Sequence, residues 1–270
     1  MKFNKKKFII GMIHLDYLQG QSGFKGMDFV IKKALEDLKS LESGGVDAII
    51  VENWKDNTYG PFVDSSTSKC MMEVTKTIVQ KTKLPVGINV LPNDYKVAFA
   101  IAKACGTKFV QLDVFVDKVK TDYSYSNAKP FEIKVNLKEF KEYRKKMDAE
   151  KILLFATIQP KHYKMLEKKS IQQSAKEAIK NGAEVIVVTG EVTGKAPVPK
   201  KVKMVKKAVG DKVPIFVGSG LNTENAEQLL KFANGAIVGT SFKDKNFEKV
   251  ILTKVKKLVN LVKFSKKIYS

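Results

Sequence analysis

Apolar residues return along this chain in two alternating rhythms. Short runs rich in valine, isoleucine and phenylalanine fall at residues 8–13, 48–51, 86–90, 109–114, 152–158, 185–189, 215–218 and 236–239. Near-continuous apolar runs of this length predict strands of a parallel sheet covered on both faces. Between them apolar positions recur with helical spacing, as at Phe29, Ala34, Leu38 and Leu41 or at Ala226, Leu229, Leu230 and Phe232, the pattern of a helix with one buried stripe. The punctuation agrees: Asn222, Thr223 and Glu224 open one helix, and Gly44-Gly45, Gly106 and Gly182 close three others. Eight strands, each followed by a helix, make an α/β fold, the (β/α)8 TIM barrel, whose usual length of roughly 250 residues suits this chain. An open doubly wound sheet is the alternative. It has fewer strands and a GxGxxG turn after the first, where this chain reads GMIHLDYLQG. No linker interrupts the pattern, so residues 1–270 are expected to form one barrel domain.

Charge changes the picture less than its size suggests. The formal net charge is +21, a balance that invites nucleic acid. Yet Arg144 is the only arginine, and the lysines are spread over nearly every predicted helix, as in KKALEDLK and KKVKMVKKAV. Without the planar bidentate group suited to phosphate and guanine, the surface implies weak, salt-screened adsorption to polyanions and no specific nucleic-acid partner. The basic start MKFNKKKFIIGMIHL has an apolar run of about six residues and no cleavage site, so it reads as a first strand and not a signal peptide. No run approaches the roughly 18 apolar residues of a membrane span. Cys70 and Cys105 make no disulfide framework, which points to the cytoplasm. In FEKVILTKVKKLVNLVKFSKK, residues Ile251, Val255, Leu258, Val259 and Val262 share one helical face. That face is expected to pack on the barrel wall, with peripheral association on an anionic membrane as the competing reading.

In a barrel, residues at the C-terminal ends of the strands are the catalytic candidates. Here they are His14 after the first strand, Glu52 and Asn53 after the second, Asn89, Asn93 and Asp94 around the third and Asp113 on the fourth. Lys161 and His162 follow the fifth strand, and Thr189 and Gly190 the sixth. Asp94 has a plainer role open to it, capping the third helix. The stretch FVGSGLNTENAEQLLKFANGAIVGTSFK spans the last two strands, and barrels often hold phosphate on backbone N–H groups in the loops after them. Gly218, Ser219, Gly220, Gly239 and Thr240 are the candidate phosphate ligands. His14, Glu52, Asp113, Lys161 and His162 are the candidate catalytic groups, and Asn53, Asn89, Asn93, Asp94, Thr189 and Gly190 the candidate substrate contacts. No tight spacing such as HxxxH marks a metal, and no resident cofactor is implied.

These motifs, together with GGVDAIIVENW, PVGINVLPNDYKVAFAIAKACG, TDYS, PKHY and VIVVTGEVTG, resemble in order and spacing those of the BtpA/SgcQ family. That family is named for a protein needed in photosystem I biogenesis, and the resemblance implies a barrel of the ribulose-phosphate-binding type. It also marks departures. The family's usual prolines after the first-strand histidine are replaced by Asp16-Tyr17 and Gln19. The aspartate of its fifth-strand run is missing from Ala156-Thr157-Ile158, and its fourth-strand asparagine has become Asp113. Asp113 is therefore expected beside Lys161 or His162, replacing the lost charge.

Three readings of function follow. The first is an enzyme, a lyase, isomerase or hydrolase, acting on a small phosphorylated ligand such as a sugar phosphate or a nucleotide-derived compound, and assembled as a homo-oligomer. In it Glu52, Asp113 and His162 act as acid and base, with Lys161 stabilising charge or forming a Schiff base. The second is a non-catalytic assembly factor for a membrane complex, as the family name implies. The third is a polyanion binder. The crowded polar strand ends favour the first.

Overall fold

A computed structural model describes residues 3, 7–56, 60–121, 129–265 and 268 of the 270-residue chain. Eight parallel strands close into a barrel: β1 (Phe8–His14), β2 (Ala48–Glu52), β3 (Val86–Asn89), β4 (Phe109–Leu112), β7 (Leu153–Ile158), β9 (Val185–Val188), β10 (Ile215–Val217) and β11 (Gly235–Val238). All eight expected strands are present, in the cyclic order β1-β2-β3-β4-β7-β9-β10-β11. Around them run α1 (Met27–Gly44), α2 (Ser65–Lys81), α3 (Tyr95–Cys105), α4 (Leu137–Lys146), α5 (Ile171–Lys180), α6 (Pro199–Val209), α7 (Ala226–Leu230) and α8 (Leu252–Phe264). The expected signals stop these helices where they should: Gly45 and Gly106 take left-handed C-cap conformations, and Gly182 follows α5 at positive φ. Asn222 opens the turn before α7 by accepting from the amides of Glu224 and Asn225, but the helix itself is only five residues long.

Alternate residues of each strand point inward, and inside the barrel they are apolar at the start of the strand and polar at its end. Phe8, Ile10 and Met12 lead to His14; Ala48 and Ile50 to Glu52; Val185 and Val187 to Thr189. The apolar part is a packed floor in which Phe109 stacks on Phe155 at 4.5 Å and Phe155 meets Phe216 edge-on at 5.5 Å. Gly87 leaves the room Phe109 fills, since a Cβ there would lie 2.2 Å from its ring. The floor closes the barrel from below, and the cavity above it is lined by residues at the C-terminal ends of the strands.

The basic C-terminal helix packs on the wall: Val255, Leu258, Val259 and Val262 of α8 are buried, and Gly44 of α1 sits against Val255. Among the described residues no helix is long and apolar enough to cross a membrane. Arg144 is buried, donating to the carbonyls of Glu150 and Ile152 and to Glu184. The one arginine thus ties a helix to the start of β7 and is not offered to a phosphate. Lys243 is the exception among the lysines expected on solvated faces, being buried and paired with Asp37 at 2.7 Å. An antiparallel sheet not expected from the sequence joins β5 (Val119–Thr121), β6 (Glu132–Ile133) and β8 (Tyr163–Met165) beside the mouth. Of the motif TDYS, residues 122–124 lie outside the described residues.

Candidate active site

Strand register assembles one side of the mouth. His14 stands level with Glu52, Glu52 with Asn89, and Asn89 with Gln111, across four neighbouring strands. Asp113 follows two residues after Gln111 and faces the same cavity. The side chains connect along this row. His14 Nε2 lies 3.6 Å from Glu52 Oε1, Asn89 Nδ2 donates to Glu52 Oε2 at 2.8 Å and to Asp113 Oδ1 at 3.4 Å, and Gln111 Nε2 donates to Asp113 Oδ1 at 3.2 Å. One amide therefore bridges two buried carboxylates.

Burial decides the protonation of this row. Desolvation, reinforced by the neighbouring Asp113 charge, pushes the Glu52 carboxyl up to about 7. Burial raises Asp113 as well, with Lys161 opposing it. His14 is driven well below its ordinary value, first by burial and then by the Lys243 and Lys161 ammonium groups, so its imidazole is neutral at pH 7. A carboxyl that titrates near neutrality beside a neutral imidazole is suited to moving a proton.

The expected partnership of Asp113 divides in two. Lys161 lines the cavity and its charge acts on Asp113, Glu52 and His14. His162 does not join them. Its ring Nε2 shares a 2.8 Å hydrogen bond with Thr193 Oγ1, and its own amide donates to the Glu191 carbonyl. His162 has positive φ, and the loop turns there, so its side chain goes to the β9–α6 loop while Lys161 faces the carboxylates.

Asn53, Asn93 and Asp94, expected as substrate contacts, serve the backbone instead. Asn53 accepts from the Leu91 amide at 2.7 Å and donates to the Leu91 carbonyl, Asn93 accepts from the Val114 amide at 2.8 Å, and Asp94 caps α3 through Val97 while also holding the Val63 amide. Buried loop amides need acceptors, and these short side chains supply them. Asn89 acts on the cavity through its hydrogen bonds to Glu52 and Asp113. Alternation along the strands would have found two further residues of the cavity. Counting in twos from Phe109 gives Gln111, and from Phe155 gives Thr157.

The opposite side of the mouth is made of backbone. Gly218, Ser219, Gly220, Gly239 and Thr240 all line the cavity, as does Thr189. Among the described residues the amides of Gly220, Thr240 and Ser241 have no acceptor, the last two because they begin the 3-10 turn Thr240–Phe242. Ser219 is committed elsewhere: its hydroxyl accepts from the Gly190 amide and donates to the Lys195 carbonyl. It fastens the loop to residues 190–196. Both glycines at that seam are obligatory, since a Cβ at Gly190 would lie 2.1 Å from the Lys195 oxygen, and one at Gly220 would lie 2.2 Å from the Ala196 nitrogen. Gly239 leaves the space taken by the His14 ring, 2.5 Å from where its Cβ would be. No cluster of metal-ligating side chains is present among the described residues.

A family model described as the BtpA family matches residues 5–264. The photosystem I biogenesis protein BtpA of Synechocystis is 32% identical over 241 residues, covering 87% of this chain and 80% of that protein. Thiamine phosphate pyrophosphorylase from Pyrococcus furiosus superposes with a TM-score of 0.59 at 17% identity over 97% of each chain. The N-(5'-phosphoribosyl)anthranilate isomerase of Pyrococcus furiosus does so with a TM-score of 0.55 at 15% identity, over 95% of this chain and 98% of that one. At such identities the structural likeness shows the barrel fold.

Proposed function

This chain belongs to the BtpA family, and we propose that it is a barrel enzyme acting on a small phosphorylated substrate, a sugar phosphate or a nucleotide-derived compound. The loops after β10 and β11 hold the phosphate, and Glu52 with Asp113 carries out proton transfer. The observation that carries this reading is the placement of two buried carboxylates, joined through Asn89, in the same cavity as Gly220 and Thr240, whose amides have no acceptor among the described residues. Positively polarised N–H groups at a helix start favour an anion. Lys161 offsets charge that develops between the two ends, and neutral His14 donates to or accepts from the reacting oxygen. Two of the solved barrels that resemble this one are named for a phosphorylated compound, which supports the same substrate class.

The name of the Synechocystis relative favours a second reading, a non-catalytic factor in assembling a membrane complex. Two carboxylates kept out of water disfavour it. Such groups lower the stability of the fold, and a scaffold has no use for them.

A thermal-shift screen of sugar phosphates and nucleotides tests the proposal, because a ligand at a hundred times its Kd stabilises the fold by about 2.7 kcal/mol. Thr240→Asp, which places a negative charge at the start of the 3-10 turn, is expected to abolish the shift while leaving the unliganded melting temperature within a few degrees. Gly220 cannot serve for this test, because any side chain there meets the Ala196 backbone. If no phosphorylated compound shifts the melting temperature, the reading fails.

A further inference from the structure

Three buried polar atoms beside the carboxylates have no hydrogen-bond partner among the described residues: Asn89 Oδ1, Gln111 Oε1 and Thr157 Oγ1. Their residues are 1%, 5% and 1% exposed. Gln111 and Thr157 line the cavity, and Asn89 stands between Glu52 and Asp113. The orientation of both amides is set by the carboxylates. Each NH2 group donates to a carboxylate oxygen, and turning either amide over would set its carbonyl against the ionised carboxylate, acceptor against acceptor. The carbonyl oxygens are therefore acceptors left over by the row itself. With the carboxylate oxygens of Glu52 and Asp113, Gln111 Oε1 makes this end of the cavity rich in acceptors.

Leaving a buried acceptor unmade is costly, of the same order as a lost hydrogen bond, so such a surface selects ligands that bring donors. Apolar contact is scarce there: Met12 and Ile237 are the large apolar side chains lining the cavity. A nucleobase, which needs a flat apolar slot, is poorly matched. An ammonium group would add a second cation beside Lys161, whose charge already reaches Glu52 and Asp113. Hydroxyl groups on a short carbon chain meet both requirements, since each donates one proton and carries no charge.

We infer that the ligand of this site is a phosphomonoester of a polyhydroxylated carbon chain, with one hydroxyl group donating to Gln111 Oε1 and another exchanging a hydrogen bond with Thr157 Oγ1. The inference rests on the phosphate reading above and chooses between its two substrate classes. The hydroxyl-bearing end lies against β3, β4 and β7, and the phosphate against the loops after β10 and β11.

Isothermal titration calorimetry separates this inference from the phosphate reading. The probes are inorganic phosphate, pentyl phosphate, 5-aminopentyl phosphate, adenosine 5'-monophosphate and ribitol 5-phosphate. Ribitol 5-phosphate is expected to bind at least about thirtyfold more tightly than pentyl phosphate, because two or more hydrogen bonds at roughly tenfold each are available to it alone. Thr157→Val removes a hydroxyl with no partner among the described residues, so the fold is expected to tolerate it. The variant should bind ribitol 5-phosphate about tenfold more weakly and inorganic phosphate unchanged. Equal binding of pentyl and ribitol phosphates would overturn the inference and leave the phosphate reading standing, as would tighter binding of the aminopentyl or adenosine compound. A Thr157→Val variant that binds ribitol 5-phosphate as the unmutated protein does would overturn it too. Failure of all five probes to bind, inorganic phosphate included, would remove the phosphate reading and this inference together.

Discussion

The two sides of the barrel mouth are built by different means. Across β1 to β4 the surface is side chain: His14, Glu52, Asn89, Gln111 and Asp113 stand in register and hold one another through hydrogen bonds and shared desolvation. Across β9 to β11 it is mostly main chain, with glycines at 190, 218, 220 and 239 packed too closely for a Cβ. Side chains can tune a proton affinity, because burial and neighbouring charge act on a titratable group. Backbone amides cannot titrate, but they present fixed donors at no cost in side-chain entropy. On the proposed reading, the first side carries the chemistry and the second holds the anion.

The largest expected effect is on turnover, measured on the phosphorylated compound that the binding screen identifies. Glu52→Gln should lower kcat by about a thousandfold and Asp113→Asn by at least a hundredfold, with the double variant far from multiplicative because the two share Asn89. Near-normal rates in both would erase the division between the two sides. Stability sharpens it next. Gly190→Ala should cost about 3 kcal/mol or more in urea unfolding, since its Cβ meets the Lys195 carbonyl, whereas Thr157→Val on the other side should stay within about 0.5 kcal/mol.

The pH dependence of stability tests Glu52 directly. Its carboxyl rises from 4.5 to about 7 on folding, so between those values the folded protein keeps a proton that the unfolded chain has released. The unfolded state then binds fewer protons, and stability falls as pH rises through that window. Urea unfolding at pH 4.5 and pH 8 should show the unmutated protein losing roughly 3 kcal/mol relative to Glu52→Gln. A difference that does not change with pH would mean that Glu52 is not desolvated. The smallest effect belongs to His162→Gln. Bound to Thr193 and outside the carboxylate row, His162 is expected to alter kcat by less than about threefold.

How much of the site could be read in advance depended on the distance over which each residue acts. Glu52 and Asp113 were legible because a charged residue at the end of an apolar run in a barrel must lie at the mouth. Gln111 and Thr157 were legible in principle by counting in twos, but a glutamine or threonine within a strand carries no signal until its inward face is known. Asn53 and Asn93 misled for the opposite reason. Their partners, Leu91 and Val114, lie 38 and 21 residues away, so nothing nearby marks them as braces for loops. Ser219 looks like a phosphate donor in the sequence, whereas in the fold its hydroxyl donates to the Lys195 carbonyl.

The sequence alone determined the eight strands, the order of helix and strand and the barrel they imply, because periodicity and turn residues act over a few positions and closure follows from the count. Its motifs also pointed to the family, which the match over residues 5–264 bears out. Only the tertiary structure decided which polar residues at the mouth face a ligand. A loop of a few residues can send Lys161 toward the carboxylates and its neighbour His162 toward Thr193. Register across four strands, and not proximity along the chain, brings His14, Glu52, Asn89 and Gln111 into one row. The altered proton affinities come from the same source. A carboxyl's affinity rises when water is removed from around it, and that removal is accomplished by strands, helices and loops drawn from the whole length of the chain.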